Sequence, residues 1–525
     1  MSESREYSTS GFFALYLAAT VLICGAVVMV IEVLGSRIIG PLFGVSLFVW
    51  TSLITVALLA LAAGYAVGGV IADRRSSPDY MYGIILLAGI LILTIPFTKV
   101  FVLKSMQPLG LRLGAFLSSL LLFGPSLFLL GCVSPYIVRI AAREMSTIGR
   151  TVGILYAVST AGSFLGTVAA GFFLIAHLGV NRIIQLSGLL LISTAIIYFV
   201  LFRKRRHLLI VLIAPLFMFS VPAQSSKIMP DGTRVESVFE KDSFYGKLKV
   251  LDSVNGNNRF RELMIDGLTQ SGIDMVNKMS IYKYPYFLEF IPYSLNPDGK
   301  RCLIIGMGGG VIPVWYEERG IKTDVVDIDP EIISIAKNFF GFRNSGLAAA
   351  ADARYFLNSS NEKYDYMILD VFNGDSTPGH VLSLEAFRLM NERLTGNGIL
   401  AINLFGSLKE NPVMTMSVVR TLKEVFKSVD VYPLFEKDEG YGNIIITAYN
   451  FPHAGPDLRR VSGLPVHPKV KEIVKRYLGR KASLPEDVPS IILSDDYNPV
   501  DFYEIRLKEK IRRDILYSAD WDFLI

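Results

Sequence analysis

Hydrophobic and polar positions are spread so unevenly along these 525 residues that two different surroundings are implied. Before about residue 225, long apolar runs alternate with short charged or Gly/Pro-containing breaks; beyond it, short apolar runs and amphipathic stretches follow one another as in a globular domain. The long runs fall at 12–34, 46–71, 81–103, 113–138, 151–177 and 180–202, and each as a helix reaches across the roughly 30 Å of a bilayer's hydrocarbon. A seventh run, 208–223, is shorter, holds Pro215 and Pro222 and follows Arg203, Lys204, Arg205 and Arg206. It reads equally as a short span, a re-entrant piece or an interfacial helix. The first run is too long, and lacks the basic leader, for a cleavable signal.

Basic residues gather after the second, fourth and sixth runs, at Arg74 and Arg75, at Arg139, Arg143 and Arg150, and at 203–206. Because such residues stay on the cytoplasmic side, the N-terminus is placed inside. A transmembrane domain of six or seven helices is thus expected over 1–223, in a multi-pass protein of the cell membrane. Gly64, Gly68 and Gly69, then Gly162, Gly166 and Gly171, stand at helical spacing, which predicts close backbone contact between helices.

After a linker at 224–233, alternation at 247–252 and 259–265 predicts a hairpin within a small β region, 234–300. From Arg301 the period changes: the apolar run CLIIG, a glycine cluster, a helical stretch at 311–319, TDVVDID, and a helix from Pro330. Strands alternating with helices predict a parallel sheet covered on both faces, over 301–525.

Candidate chemistry lies where those strands end. Gly306, Gly308 and Gly310 follow the first, where glycine lets the backbone turn sharply and approach a ligand. Asp327 ends the second, Asp352 follows the third, and Asp370 ends the fourth strand, YDYMILD. An acidic side chain at the second strand end suits a ribose, whose two hydroxyls it accepts. Asp370 and Asp375, in VFNGDSTPGH, are paired carboxylates that suit a cationic amine and one of which suits its proton.

Composition narrows the alternatives. Acidic and basic residues are mixed through the second half and the net charge is only +5, so nucleic-acid binding is set aside. The three cysteines and five histidines are dispersed, which argues against a disulfide framework or a metal site.

The region 234–450 resembles the spermidine synthase family, the polyamine aminopropyltransferases, through SFYGKLKVLD, LMIDGLTQSG, IIGMGGG, VVDIDPEII, ADARYF and ILDVFNGD in that order. The apolar first half and the late motif LSDDYNPVD look like its membrane-bound branch. The resemblance implies a multi-pass α-helical membrane domain followed by an α/β Rossmann-like domain of the S-adenosylmethionine-dependent methyltransferase type, with a small N-terminal β region. It implies that Asp370 is the general base, that Gln270, Asp327 and Asp352 bind the donor, and that decarboxylated S-adenosylmethionine, or S-adenosylmethionine itself, is the co-substrate. Asp375, Tyr282, Asp495 and Asp496 are the candidates for holding the acceptor, a small amine such as putrescine. The partners implied are that amine and the lipid bilayer, with a homodimer open.

Three departures stand against that pattern. Gly309 occupies the place of an aspartate that contacts the donor's aminopropyl end, MSIYKYPYF replaces an acidic cluster, and the two loop acids stand five apart rather than three. A methyltransferase acting near the membrane, and a non-catalytic nucleotide-sensing or transport-coupled module, are the alternatives. Because S-adenosylmethionine is made inside cells, the soluble half is expected in the cytoplasm, with 208–223 not fully crossing.

Overall fold

The computed structural model describes residues 11–44, 47–142, 148–205, 207, 226–372, 378–409, 411–436, 440–452, 455–484, 487–503, 507 and 509–510. The chain divides into two compact units, one of Met1–Gln224 with Ala519–Ile525 and one of Ser225–Ser518.

Among the described residues of the first unit, six helical segments are long and apolar enough to cross a membrane. The helices are α1 (Gly11–Phe43), α2 (Leu47–Arg74), α3 (Pro78–Met106), α4 (Gly110–Leu122), α5 (Gly124–Ala141), α6 (Ile148–Val168) and α7 (Val180–Arg203). They pack chiefly as pairs, α1 with α6, α2 with α5 and α3 with α7. Glycine makes each pairing possible. A Cβ on Gly68 would lie 2.5 Å from the Cys132 Cα, one on Gly89 would lie 2.8 Å from the Gly188 carbonyl oxygen, and one on Gly162 would fall on the Leu22 carbonyl. Gly64 and Gly166 are equally close to backbone, whereas Gly69 touches only Pro135 and Gly171 touches nothing, so the expected spacing overstates the contact at two positions.

The run expected as one helix over 113–138 is two, parted at Phe123. Pro125 has no N–H for the Leu121 carbonyl and its ring crowds that turn. The Ser126 hydroxyl donates to the Phe123 carbonyl at 2.9 Å, covering an oxygen at the break. The run expected over 151–177 is also uneven, because α6 passes into a wider π-helical turn at Ala169–Leu174. At one end of the α3–α7 pair, Asp79 accepts from the Tyr198 hydroxyl at 2.6 Å and from Arg203 Nε at 2.7 Å, which ties the first residue of the basic cluster to the bundle. The 208–223 run lies outside the described residues.

The second unit holds two sheets. The first is antiparallel, in the order β1 (Ser226–Ile228), β2 (Arg234–Asp242), β3 (Lys247–Asn255), β4 (Asn258–Ile265), β5 (Leu268–Asp274). The predicted hairpin is β3–β4, turned by Gly256 at φ 58°, the glycine-first pattern of a type II′ turn. Asp266 (φ 48°) and Gly267 (φ 76°) turn β4 into β5 with both residues left-handed, the type I′ pattern that matches strand twist. Strand β1 falls within the stretch expected as linker, since its three residues pair with 234–236.

Helix α8 (Tyr284–Leu295) leads to the second sheet and its helices: β6 (Arg301–Ile305), α9 (Val311–Glu317), β7 (Lys322–Asp327), α10 (Pro330–Phe339), β8 (Ala348–Ala350), α11 (Ala353–Ser359), β9 (Tyr364–Leu369), α12 (Leu384–Glu392), β10 (Leu394–Ser407), α13 (Val413–Lys423), β11 (Ser428–Pro433), β12 (Tyr441–Tyr449) and α14 (Pro468–Tyr477). The strand order is β11-β12-β10-β9-β6-β7-β8, with β12 antiparallel to both its neighbours and the rest parallel. This is the α/β arrangement that the alternating pattern predicts. Leu248, Val250 and Leu263 of the first sheet share one buried core with Phe287 of α8 and with Ile304 and Tyr366 of the second.

Candidate functional site

The carboxyl ends of β6, β7, β8 and β9 lie side by side, and a cavity of about 400 Å³ opens above them. Its floor is the glycine turn. Gly306, Gly308 and Gly310 all have positive φ, at 81°, 50° and 76°. A Cβ on Gly306 would run into the Asp370 carbonyl, so glycine is required where this turn passes the end of β9. Gly308 borders the cavity; Gly310 starts α9 against the Phe342 ring and does not border it. Position 309 is not a vacancy awaiting an acid. A Cβ there would lie 2.8 Å from Ser271 Oγ and 2.9 Å from the Phe340 ring.

Asp327, Asp352 and Asp370 all border the cavity. Asp327 accepts from the Met307 N–H at 3.1 Å and the Asp329 N–H at 3.0 Å; burial pushes its carboxyl up to about 6 against the pull of those two donors. A carboxylate has about four acceptor sites, so both oxygens keep capacity for a ligand's hydroxyls. Asp352 caps α11, its Oδ1 accepting from the Arg354 and Tyr355 N–H groups, and its Oδ2 accepts from His380 Nε2 at 3.0 Å. Burial would raise this carboxyl, but the Tyr355 N–H and His380 outweigh it and hold it below the usual range. Among the described residues, the Asp370 carboxyl accepts one hydrogen bond, from Asn403 Nδ2 at 2.8 Å. Burial pushes it up to about 7, with Asn403 pulling the other way.

Gln270 borders the same cavity, and its backbone carbonyl accepts from the Tyr284 hydroxyl at 2.9 Å. Tyr284 and Tyr245 are the tyrosines on the wall. Tyr282, the expected one, is not: its hydroxyl donates to Glu262 and its ring sits against Gly272 of β5. The stretch turns into α8 two residues later, and that brings Tyr284 to the cavity instead.

The late motif also acts differently from its expectation. Asp495 accepts from Arg354 Nη1 and from the Ser383 hydroxyl, each at 2.6 Å, Asp496 is exposed, and neither borders the cavity. Asn498 Nδ2 donates to the Gly379 carbonyl at 2.7 Å, and the Leu384 N–H donates to the Leu493 carbonyl at 2.8 Å. The motif therefore braces residues 378–383, of which Pro378, His380 and Val381 do border the cavity. Asp375 lies outside the described residues. Two further residues at the site are His380, the last residue of VFNGDSTPGH, which no sequence signal marks, and Asn403, whose signal is an amide inside the apolar run ILAINLF.

Four carboxylates, Asp327, Asp329, Asp352 and Asp370, border the cavity, and among the described residues around it none is Lys or Arg. Its field favours a cation. Among the described residues no group of three or more His, Cys, Asp or Glu side chains is placed to hold a metal ion.

Comparison with known proteins follows the same part of the chain. Residues 283–435 match the spermine/spermidine synthase domain. A polyamine aminopropyltransferase of Vibrio vulnificus is 35% identical over 121 residues, 22% of this chain and 40% of that protein, so this chain spans less than half of that relative's length. A polyamine aminopropyltransferase of Alkaliphilus metalliredigens is 28% identical over 211 residues, 38% of this chain and 70% of the relative. An N-terminal histidine N-methyltransferase of Emericella nidulans is 26% identical over 419 residues, 70% of this chain and 71% of the relative.

Proposed function

We propose, from the match of residues 283–435 to the spermine/spermidine synthase domain, that the chain is a transferase that moves the aminopropyl group of decarboxylated S-adenosylmethionine to an amine. The observation that carries this reading is Asp370, a half-buried carboxyl raised to about 7 in a cavity bordered by three further carboxylates. A donor bearing a sulfonium and an ammonium, with no carboxylate of its own, matches that field.

In this reading Asp327 takes the ribose, Asp352 with His380 takes the adenine edge, and the turn at Gly306 and Gly308 lets the backbone come close. The acceptor, putrescine or a similar amine, attacks as the unprotonated nitrogen. A C–N bond forms at the methylene next to sulfur, the C–S bond breaks with its electron pair going to sulfur, and methylthioadenosine leaves as a neutral thioether. The proton of the new ammonium passes to Asp370. A base near the working pH is suited to that transfer, and the protein's main remaining task is alignment. The six apolar helices set this chemistry at a membrane, with the soluble unit in the cytoplasm where such donors are made.

A second reading has its own support. The Emericella nidulans N-methyltransferase aligns with 70% of this chain, more than the soluble unit by itself amounts to, so that likeness reaches into the helical unit. With Gly309 in place of an acid, the same base and ribose site would serve methyl transfer from S-adenosylmethionine to an amine, leaving S-adenosylhomocysteine. The test is competition of the two donors for purified full-length protein in detergent, followed by analysis of the nucleoside product. Methylthioadenosine upholds the first reading; binding of S-adenosylmethionine alone, with S-adenosylhomocysteine formed, replaces it by the second.

A further inference from the structure

Three adjacent strands of the second sheet carry polar side chains in a row, each linked to the next. Asp370 follows β9, Asn403 interrupts the apolar centre of β10, and Asn443 stands on β12, which runs antiparallel beside it. Asn403 is 1% exposed, and an amide so deeply buried costs stability unless both its ends are bonded. Both are. Its Nδ2 donates to Asp370 Oδ1 at 2.8 Å, and its Oδ1 accepts from Asn443 Nδ2 at 3.0 Å.

The two ends of an amide are not interchangeable. Because Asn443 presents an N–H to the carbonyl end of Asn403, the amino end of Asn403 is the one held against Asp370. An N–H at that place favours the carboxylate; a carbonyl there would require Asp370 to keep its proton in order to have something to donate. With Oδ1 engaged, Oδ2 is the oxygen left to the cavity, since among the described residues no side chain other than Asn403 bonds this carboxyl. The other titratable groups described around the cavity are Tyr245, Tyr284, Asp327, Asp329, Asp352 and His380; Tyr284 bonds the Gln270 carbonyl, Asp327 the Met307 and Asp329 N–H groups, and Asp352 pairs with His380.

We infer that Asn403 and Asn443 are positioning residues, a relay of two amides that holds Asp370 as a carboxylate with Oδ2 turned toward the incoming amine. This rests on the reading of Asp370 as proton acceptor. It also explains why an asparagine is kept inside a strand where an apolar residue would pack at less cost.

The test follows the affinity of decarboxylated S-adenosylmethionine for the full-length protein in detergent across about pH 5.5 to 9, by calorimetry. For the native protein, binding of this dication tightens as Asp370 ionises, and Asp370→Asn removes that part of the rise. Asn443→Asp replaces the N–H donor by an acceptor, so Asn403 turns its amino end to the new carboxylate and its carbonyl to Asp370. The midpoint of the rise is then expected to move up by about one pH unit or more, with affinity near pH 9 within about threefold of native. A midpoint that stays where it is, with binding weakened equally at every pH, overturns the relay. If Asn443→Asp does not bind the donor at all, Asn443→Ser, which can still donate, is compared with Asn443→Ala, which cannot. A higher midpoint in Ala than in Ser supports the relay, and equal midpoints overturn it. Full turnover in Asp370→Asn would remove the base reading by itself, while the binding midpoints would still judge the relay.

Discussion

Among the described residues the Asp370 carboxyl accepts one hydrogen bond, and it is raised; both properties have measurable consequences. Asp370→Asn keeps the shape but cannot take a proton, so kcat should fall by about 10²- to 10⁴-fold while donor affinity at low pH changes little. Turnover at the native level would take Asp370 out of the mechanism. Stability carries the same signature. Folding raises this carboxyl from an ordinary value to about 7, so its contribution is whole at low pH and is lost as pH rises through about 7. The thermal midpoint of donor-free protein should therefore drop between about pH 4 and 7, and Asp370→Asn should flatten the drop; an unchanged slope would assign the titration to another group. Asp327→Ala should weaken donor binding by about 1 to 3 kcal/mol, the usual effect of leaving buried hydrogen-bonding groups unmatched, and calorimetry at fixed pH reads this directly. Asp327, Asp352 and Asp370 were legible because a strand end fixes where a side chain goes. Tyr284, His380 and Asn403 were not: which face a residue takes after an irregular stretch, or which amide a buried strand tolerates, depends on neighbours far away in the chain.

The alternation of strand and helix predicts the second sheet, and in the first sheet the Asp-Gly pair at 266–267 marks the turn from β4 to β5. Less visible were the places where one element leans on another. Gly309 reads in the sequence as a lost acid, yet Ser271 of β5 and Phe340 after α10 fill its surroundings. Gly309→Asp should for that reason destabilise the protein by about 1 to 3 kcal/mol, as overpacking does, and should not restore selectivity for the decarboxylated donor unless Phe340 is also shortened. A stable single variant with sharpened selectivity would contradict this. The late motif gives a similar lesson, because its acids suggest substrate contact while the structure uses Asp495 on Arg354 and Ser383 and leaves Asp496 exposed. Asn498→Ala, which releases the Gly379 carbonyl, should raise KM for the donor more than it lowers kcat, in steady-state kinetics with the donor varied.

Across the whole molecule, the six apolar segments were visible as lengths, but how they pair was not, since glycines at 64, 68 and 69 look alike until a partner helix selects two of them. Gly162→Val, aimed at the Leu22 carbonyl, should lower the thermal midpoint of the helical unit in detergent, and Gly171→Val, with open space around it, should leave that midpoint in place. Equal effects would mean that close approach is not what holds α1 to α6. In the soluble unit the strand order has a further consequence. Asp352, Asp327, the glycine turn and Asp370 follow β8, β7, β6 and β9, which are successive neighbours, and strands in a sheet lie about 4.8 Å apart. The edge is thus a ruler about 14 Å long with four graduations, and under the proposed function an extended nucleoside would be measured off along it by strand count. Exchanging one carbon for another on the same sulfur moves the reacting atom by only a fraction of one graduation. A ruler so coarse cannot tell the two transfers apart. That choice falls to the side chains of the loops above it, so a lineage could change the group it transfers while every strand keeps its register.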